Sequence, residues 1–299
     1  MPESFDVPYY EGAAPRKYKE SLIPILILII IGIVLLGKTT TFLCNVPGLS
    51  SLFCGGEQVN FLILGDLTAG GAAEPTKVVA PELGIFLNGS IARSDYHMQY
   101  VEATPDLIGT TGSLLKGFDV VIMVGERAYT RSAKERIREY IQGGGKVILI
   151  GDAGTTDPDE PTLRGWGIIG EMPVELGFDA NIDAPLKFTN NTNVQRLELR
   201  VLDVFNEIVK GYGPRFTIHN DAKPTCNDNL QVIDVNVAPG GSPIAFLAGT
   251  VNEKKTLRPA VVTRDTGFIG GKVVYFAYDP GCTPSMFIST VKWLTGKGL

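Results

Sequence analysis

Four carboxylates stand where an α/β chain does its chemistry. Asp66, Glu126 and Asp152 each follow a glycine that ends a short apolar run, and Asp279 closes the run VVYFAY. Open α/β sheets bind ligands outside the carboxyl ends of their strands. Four carboxylates converging there would suit a hard cation held by oxygen ligands, or a carboxylate acting as general base. Each is equally an ordinary turn or cap residue, because aspartate favours such positions for backbone reasons. Other chemistries lack their patterns. His97 and His219 have no paired Cys or Asp at zinc spacing, no G-x-S-x-G elbow occurs, and no G-x-G-x-x-G follows a strand. No catalytic residue, metal or cofactor is therefore assigned.

The elements that would position these groups centre on Phe118 to Gly154, which reads strand, helix, strand. Val120 to Val124 is apolar and mostly β-branched, as in a strand buried on both faces of a parallel sheet. Ser132 and Glu135 have capping-box spacing, and Ala133, Ile137, Tyr140 and Ile141 share a helical face. Gly143 to Gly145 stops that helix, and Val147 to Ile150 is the next buried strand. A parallel return needs a crossover of this size, so the unit is a βαβ. Val59 to Leu64 and Tyr96 to Glu102 are expected strands before it. After it, strands are expected at 186–189, 196–202, 216–219, 231–237, 244–249, 260–263 and 272–277, with a short helix at 204–210. Thr283 and Pro284 open a terminal helix whose inward stripe is Phe287, Val291 and Leu294.

The address is written at the amino end. Residues 1–20 are polar and proline-bearing, a short cytoplasmic tail. The run from Leu22 to Leu43, interrupted only at its end by Lys38, makes about 22 residues or roughly 33 Å of helix, enough to span a bilayer. Residues 21–43 are thus expected to be an uncleaved single-pass anchor, since no small-x-small site follows. Arg16, Lys17 and Lys19 before the span place the amino terminus in the cytoplasm and the bulk of the chain outside. Residues 44–58 form a juxtamembrane linker and 59–299 the exported domain. All four cysteines follow the span, and an even set there suits two disulfides. Cys44 with Cys54 would close a short loop and leave Cys226 with Cys282; four free thiols are the alternative. Asn88-Gly-Ser and Asn190-Asn-Thr are glycosylation sequons if the domain is exported. The net charge of −5 is spread without a basic stripe, which argues against a nucleic-acid partner.

In order, VNFLILGD, FDVVIMVGE, EYIQGGGKVILIGDAG and PAVVTRDTGFIGGKVVYFAYDPG with the closing helix resemble the class I glutamine amidotransferase-like fold over most of residues 59–295. The chain looks most like the non-catalytic, membrane-associated branch. Domains of that kind occur in gliding-motility and transport-associated proteins and in the accessory subunit of oligosaccharyltransferase complexes. The resemblance implies a three-layer, flavodoxin-like α/β domain with a mostly parallel sheet and an antiparallel portion. It also implies missing machinery. Active members carry a nucleophilic Cys in G-x-C-x-G after a strand, where this chain has Gly151-Asp152-Ala153-Gly154. They follow the last strand with His-Pro-Glu, where this chain has Asp279-Pro280-Gly281.

The expectation is a membrane-anchored, catalytically inactive domain serving a membrane-associated complex, its partners being membrane or cell-surface proteins or glycans. The competing expectation is an anchored extracytoplasmic hydrolase using an acidic, metal-binding crevice at Asp66, Glu126, Asp152 and Asp279.

Overall fold

A computed structural model of the chain describes residues 58–67, 78–93, 97–178, 180–218, 226, 229–267, 270–297 and 299. The expected tail at 1–20, the expected anchor at 21–43, Cys44, Cys54, the expected linker up to residue 57, and His219 lie outside the described residues. No helix among the described residues is long and apolar enough to cross a membrane.

The domain is organised by one eleven-stranded mixed sheet. Its first half contains β1 (Val59–Gly65), β2 (Met98–Ala103), β3 (Val120–Val124), β4 (Lys146–Ile150) and β13 (Lys272–Phe276). These stand in the order β2-β1-β3-β4-β13, all parallel. Unbroken apolar runs form β1, β3, β4 and β13 because both faces are covered, whereas the edge strand β2 (MQYVEA) is largely exposed. Every residue of β3 is buried, and so are Phe61 to Leu64 of β1.

Helices α1 (Pro81–Arg93), α2 (Pro105–Thr110) and α3 (Arg131–Gln142) lie on the connections between these strands, and α4 (Pro284–Thr295) follows β13. Phe287 of α4 packs on Phe61 of β1 and edge-on against Phe86 of α1, so these two helices share one face of the sheet. α3 buries Ala133, Ile137 and Ile141 of the expected stripe, and its fourth member, Tyr140, is half-buried. Its cap differs from expectation. The helix starts two residues earlier, with Thr130 in place of Ser132 as the cap, accepting from the Ala133 N–H. Glu135 turns outward to pair with Arg131 at 3.3 Å. Threonine and serine are both good caps, and Thr130 takes the role with its hydroxyl 3.3 Å from that of Ser132.

The second half is antiparallel: β12 (Lys254–Asp265), β11 (Ser242–Val251), β6 (Leu186–Thr189) and β9 (Asn229–Val232), with β7 (Glu198–Val201) and β8 (Arg215–Phe216) attached through β11. The antiparallel share is larger than a mostly parallel sheet implies. β11 and β12 form a long hairpin turning at Asn252 and Glu253, both at positive φ, as in a two-residue turn that matches strand twist. The outer part of β12, KKTLR, is largely exposed, so its sequence showed no buried strand. The stretch expected as one strand at 231–237 is divided. β9 pairs β6, whereas β10 (Val235–Val237) forms a separate two-stranded sheet with β5 (Val174–Leu176). Residues 204–210 form turns, not the expected helix. Asx turns at Asp203 and Asn206 accept from the Phe205 and Ile208 N–H groups and divert the backbone.

Candidate functional site

At the exit of β4, Gly151 has φ +59, and a Cβ there would lie 2.3 Å from the Val78 Cβ. Glycine lets the strand end turn beneath residues 78–80, which carries Asp152 inward to 1% exposure. One carboxylate oxygen pairs with the Arg127 guanidinium, and the other accepts from the Val78 N–H at 3.3 Å. Burial pushes this carboxyl above the usual range, and Arg127 with the Val78 N–H offsets that only in part. Arg127 also reaches Asp183 at 3.6 Å.

Asp279, at the exit of β13, is as deeply placed, at 3% exposure. It accepts from the N–H groups of Glu82 at 2.8 Å, Leu83 at 3.1 Å and Gly281 at 2.8 Å. The first two are unsatisfied donors in the opening turn of α1, so the carboxylate caps a helix nearly two hundred residues earlier in the chain. Gly281 lets the two backbones meet, since a Cβ there would sit 2.2 Å from the Glu82 carbonyl carbon and the Leu83 nitrogen. A glutamate has no room at that position. Asp279→Ala is expected to cost about 2 kcal/mol, through loss of a cap and of charge-assisted bonds, read as a lowered thermal midpoint of the purified chain. Asp279→Asn, which keeps one acceptor, should lose less; an unchanged midpoint in both would refute the capping role.

The other two carboxylates differ in setting. Asp66 is exposed, and its charge adds to burial in raising the Glu102 carboxyl above its ordinary value. Glu126 is half-buried and accepts from the Ala128 N–H at 3.1 Å. Its backbone carbonyl accepts from the Gly154 N–H at 2.9 Å, which ties the β3 and β4 exits together. Tyr129, fully buried beside them, donates to the Leu64 carbonyl at 2.8 Å and has its phenol pushed up by burial and by Glu126. All four carboxylates therefore reach one end of the sheet, but the backbone of segment 78–83 takes both Asp279 oxygens and one of Asp152, whose other oxygen is held by Arg127. Among the described residues no group of three or more His, Cys, Asp or Glu side chains is placed to hold a metal ion.

Cys226 and Cys282 are bonded, with Cα atoms 5.6 Å apart. Thr283 stands at the amino end of α4, yet its hydroxyl does not cap the helix; it bonds the Tyr278 hydroxyl at 2.9 Å. Asn88 lies exposed on α1 and accepts from the Tyr100 hydroxyl at 2.8 Å, while Ser90 of its sequon is buried. Asn190 accepts from the Leu197 N–H at 3.1 Å. His97 is exposed.

Two features escaped sequence reasoning. Arg127, the counter-charge of Asp152, has as its sole advance sign a basic residue directly after a strand-exit carboxylate. The second is a cleft of about 530 Å³ lined by Arg164, Trp166, Met172, Leu176, Pro239 and Arg264, among others. Trp166 donates to the Ala153 carbonyl at 2.7 Å and meets the Tyr275 ring edge-on. Arg264 is held by Glu171 at 2.8 Å and by the carbonyls of Met172 and Pro239 at 3.2 Å each. A tryptophan amid glycines at 165, 167 and 170 was the available signal.

No protein-family model matches the chain, and no curated protein sequence does. Among solved structures, it is similar to a ThuA-like protein from Bacteroides uniformis at 12% identity and a TM-score of 0.48, covering 79% of this chain and 91% of that one. It is also similar to a β-galactosidase from the haloarchaeon Halorubrum lacusprofundi at 18% identity and a TM-score of 0.49, covering 83% of this chain and 33% of that one. A β-galactosidase from Rahnella sp. R3 gives 16% identity, a TM-score of 0.47, and 82% and 33% coverage. The chain thus spans about a third of either galactosidase. The mixed sheet is compatible with an amidotransferase-like fold, and nothing in the comparisons singles out the membrane-associated branch.

Proposed function

We propose that the chain is a membrane-anchored, extracytoplasmic domain that binds a partner protein or glycan within a membrane-associated complex and carries out no chemistry of its own. The observation that carries this reading is the use made of two strand-exit carboxylates. Ala153 stands where the amidotransferase-like pattern would place a nucleophile, with Asp152 beside it, and Asp279 stands where it would place a base. Asp152 is consumed by Arg127 and the Val78 N–H, and Asp279 by the first turn of α1. A nucleophile or base needs an accessible, partly unsatisfied atom within reach of substrate. Carboxylates nine-tenths or more buried and bonded to backbone do not offer one. Binding falls instead to the cleft beside Trp166, which presents the half-exposed guanidinium of Arg164 next to apolar Met172, Leu176 and Pro239.

The test is to purify the full-length chain from native membranes in mild detergent after crosslinking, identify what accompanies it, and screen the same sample for hydrolysis. A specific partner or glycan is expected, with capture reduced about tenfold in Arg164→Glu, the size typical of losing one well-placed interfacial charge. Capture of nothing, together with hydrolysis abolished by Asp152→Asn, would replace this reading with the anchored hydrolase.

A further inference from the structure

The edge of the sheet opposite the carboxylates is basic. Lys146 opens β4 and Lys272 opens β13, side by side in register. Lys297, just past α4, bonds Asp119 at 2.8 Å and the Gln58 carbonyl at 2.7 Å. Lys272 donates to the Trp293 carbonyl at 3.1 Å and lies 4.5 Å over the Trp293 ring. Alongside runs a groove of about 510 Å³ lined by Lys210, Lys292, Lys297 and half-buried Trp293. The carboxylates near this edge are Asp119, already bonded to Lys297, Glu207 in the groove, and Asp265, opposite Lys272 in the ladder.

An apolar tip adjoins the lysines. β7 runs antiparallel to β11 and ends opposite Ala245, so the loop after it emerges at the same edge, with the Leu202 N–H bonded to the Ile244 carbonyl at 3.0 Å. On that loop Leu202 is 60% exposed and Phe205 89%. Exposed phenylalanine and leucine beside ammonium groups and an interfacial tryptophan match a bilayer boundary. Apolar tips there enter the headgroup layer while lysines meet lipid phosphates. The chain also enters the domain here, at Gln58. Residues 44–57 separate it from the apolar run, at most about 50 Å of fully extended chain.

We propose that this edge docks on an anionic phospholipid surface, with Phe205 and Leu202 in the headgroup layer and Lys210 and Lys292 on lipid phosphates. The carboxylate end of the sheet then faces away from the bilayer. This deepens the anchored reading and rests on it for the nearness of a membrane.

The test uses the full-length chain reconstituted into vesicles of zwitterionic phospholipid, with or without phosphatidylglycerol, and treated with a membrane-impermeant amine reagent. Modification of each lysine is read by mass spectrometry. Lys210 and Lys292 should be protected about tenfold on the anionic vesicles at low salt, the order expected for two lysines engaging phosphate, and lose that protection at high salt. Lys254 and Lys255, exposed at the far end of the β11–β12 hairpin, should react equally on both. Leu202→Ser with Phe205→Ser should weaken the protection without altering the reactivity of those controls. Equal modification of Lys210 and Lys292 on both vesicles overturns the proposal. The anchor is tested apart, by flotation with zwitterionic vesicles at high salt. A chain that floats with unprotected lysines keeps the anchor and loses the surface. One that floats only with anionic vesicles, its lysines protected, loses the anchor and keeps the surface.

Discussion

Arg127→Met is expected to destabilise the domain by about 3–5 kcal/mol, the cost of leaving a buried carboxylate without its counter-charge. Asp152 would keep the Val78 N–H and little else to offset its desolvation. The double variant Arg127→Met with Asp152→Leu should recover most of the loss, because no buried charge then remains. The pH dependence has a definite sign. The Asp152 carboxyl is raised in the folded state, so between its ordinary value and the raised one the folded chain holds more protons than the unfolded chain. Its contribution to stability is therefore greatest below the ordinary carboxylate value and falls as pH rises through the raised one. Removing Arg127 raises the folded value further, so the loss should be largest at neutral pH and shrink on acidification. Thermal unfolding of the two variants and the parent across that range checks this; a loss equal at all pH values would mean that Arg127 acts through packing alone.

Removal of the Cys226–Cys282 bridge ranks next. The cysteines are 56 residues apart in sequence, and in the chain-entropy model such a loop stabilises by about 4 kcal/mol through restriction of the unfolded chain. In a domain of this size that corresponds to a fall in thermal midpoint of about 10 °C for the paired Cys226→Ser, Cys282→Ser variant. The effect should reach the β13 exit, since Cys282 ends the short 3₁₀ turn that begins beside Asp279. Combining it with Asp279→Ala should therefore give a loss different from the sum of the separate losses, as neighbouring sites do. An unchanged midpoint on removal of the bridge would mean that residues 226–282 are already ordered in the unfolded ensemble.

Both predictions concern the end of the sheet that the sequence brought to notice, and both assign its groups to stability. Strand-exit position alone marked Asp66, Glu126, Asp152 and Asp279, and the structure does bring all four to one edge. What each carboxylate does there is set by residues remote in sequence. Asp279 meets α1 from nearly two hundred positions away, and Asp152 meets Val78 across the opening of the sheet. No local pattern encodes such distances.

The parallel half of the fold was legible for a simple reason. Strands covered on both faces must be apolar throughout, so β1, β3, β4 and β13 appear as unbroken runs, and the α3 stripe follows from helical period. The antiparallel half was less so. β12 is half exposed and its outer portion alternates weakly, while β9 and β10 lie two residues apart yet join different sheets. Pairing partners, not local composition, decide such strands.

By itself the sequence determined the α/β class, the buried parallel strands and the position of the carboxylates, because these follow from hydrophobic period and turn chemistry. The tertiary structure alone decided that Asp152 is held by Arg127, that Asp279 caps α1, that Cys226 pairs with Cys282, and that lysines from four separate segments gather at the opposite edge, where the loop carrying Phe205 also emerges. Those are contacts between segments brought together by burial of the core, and the free energy of each depends on which partner arrives.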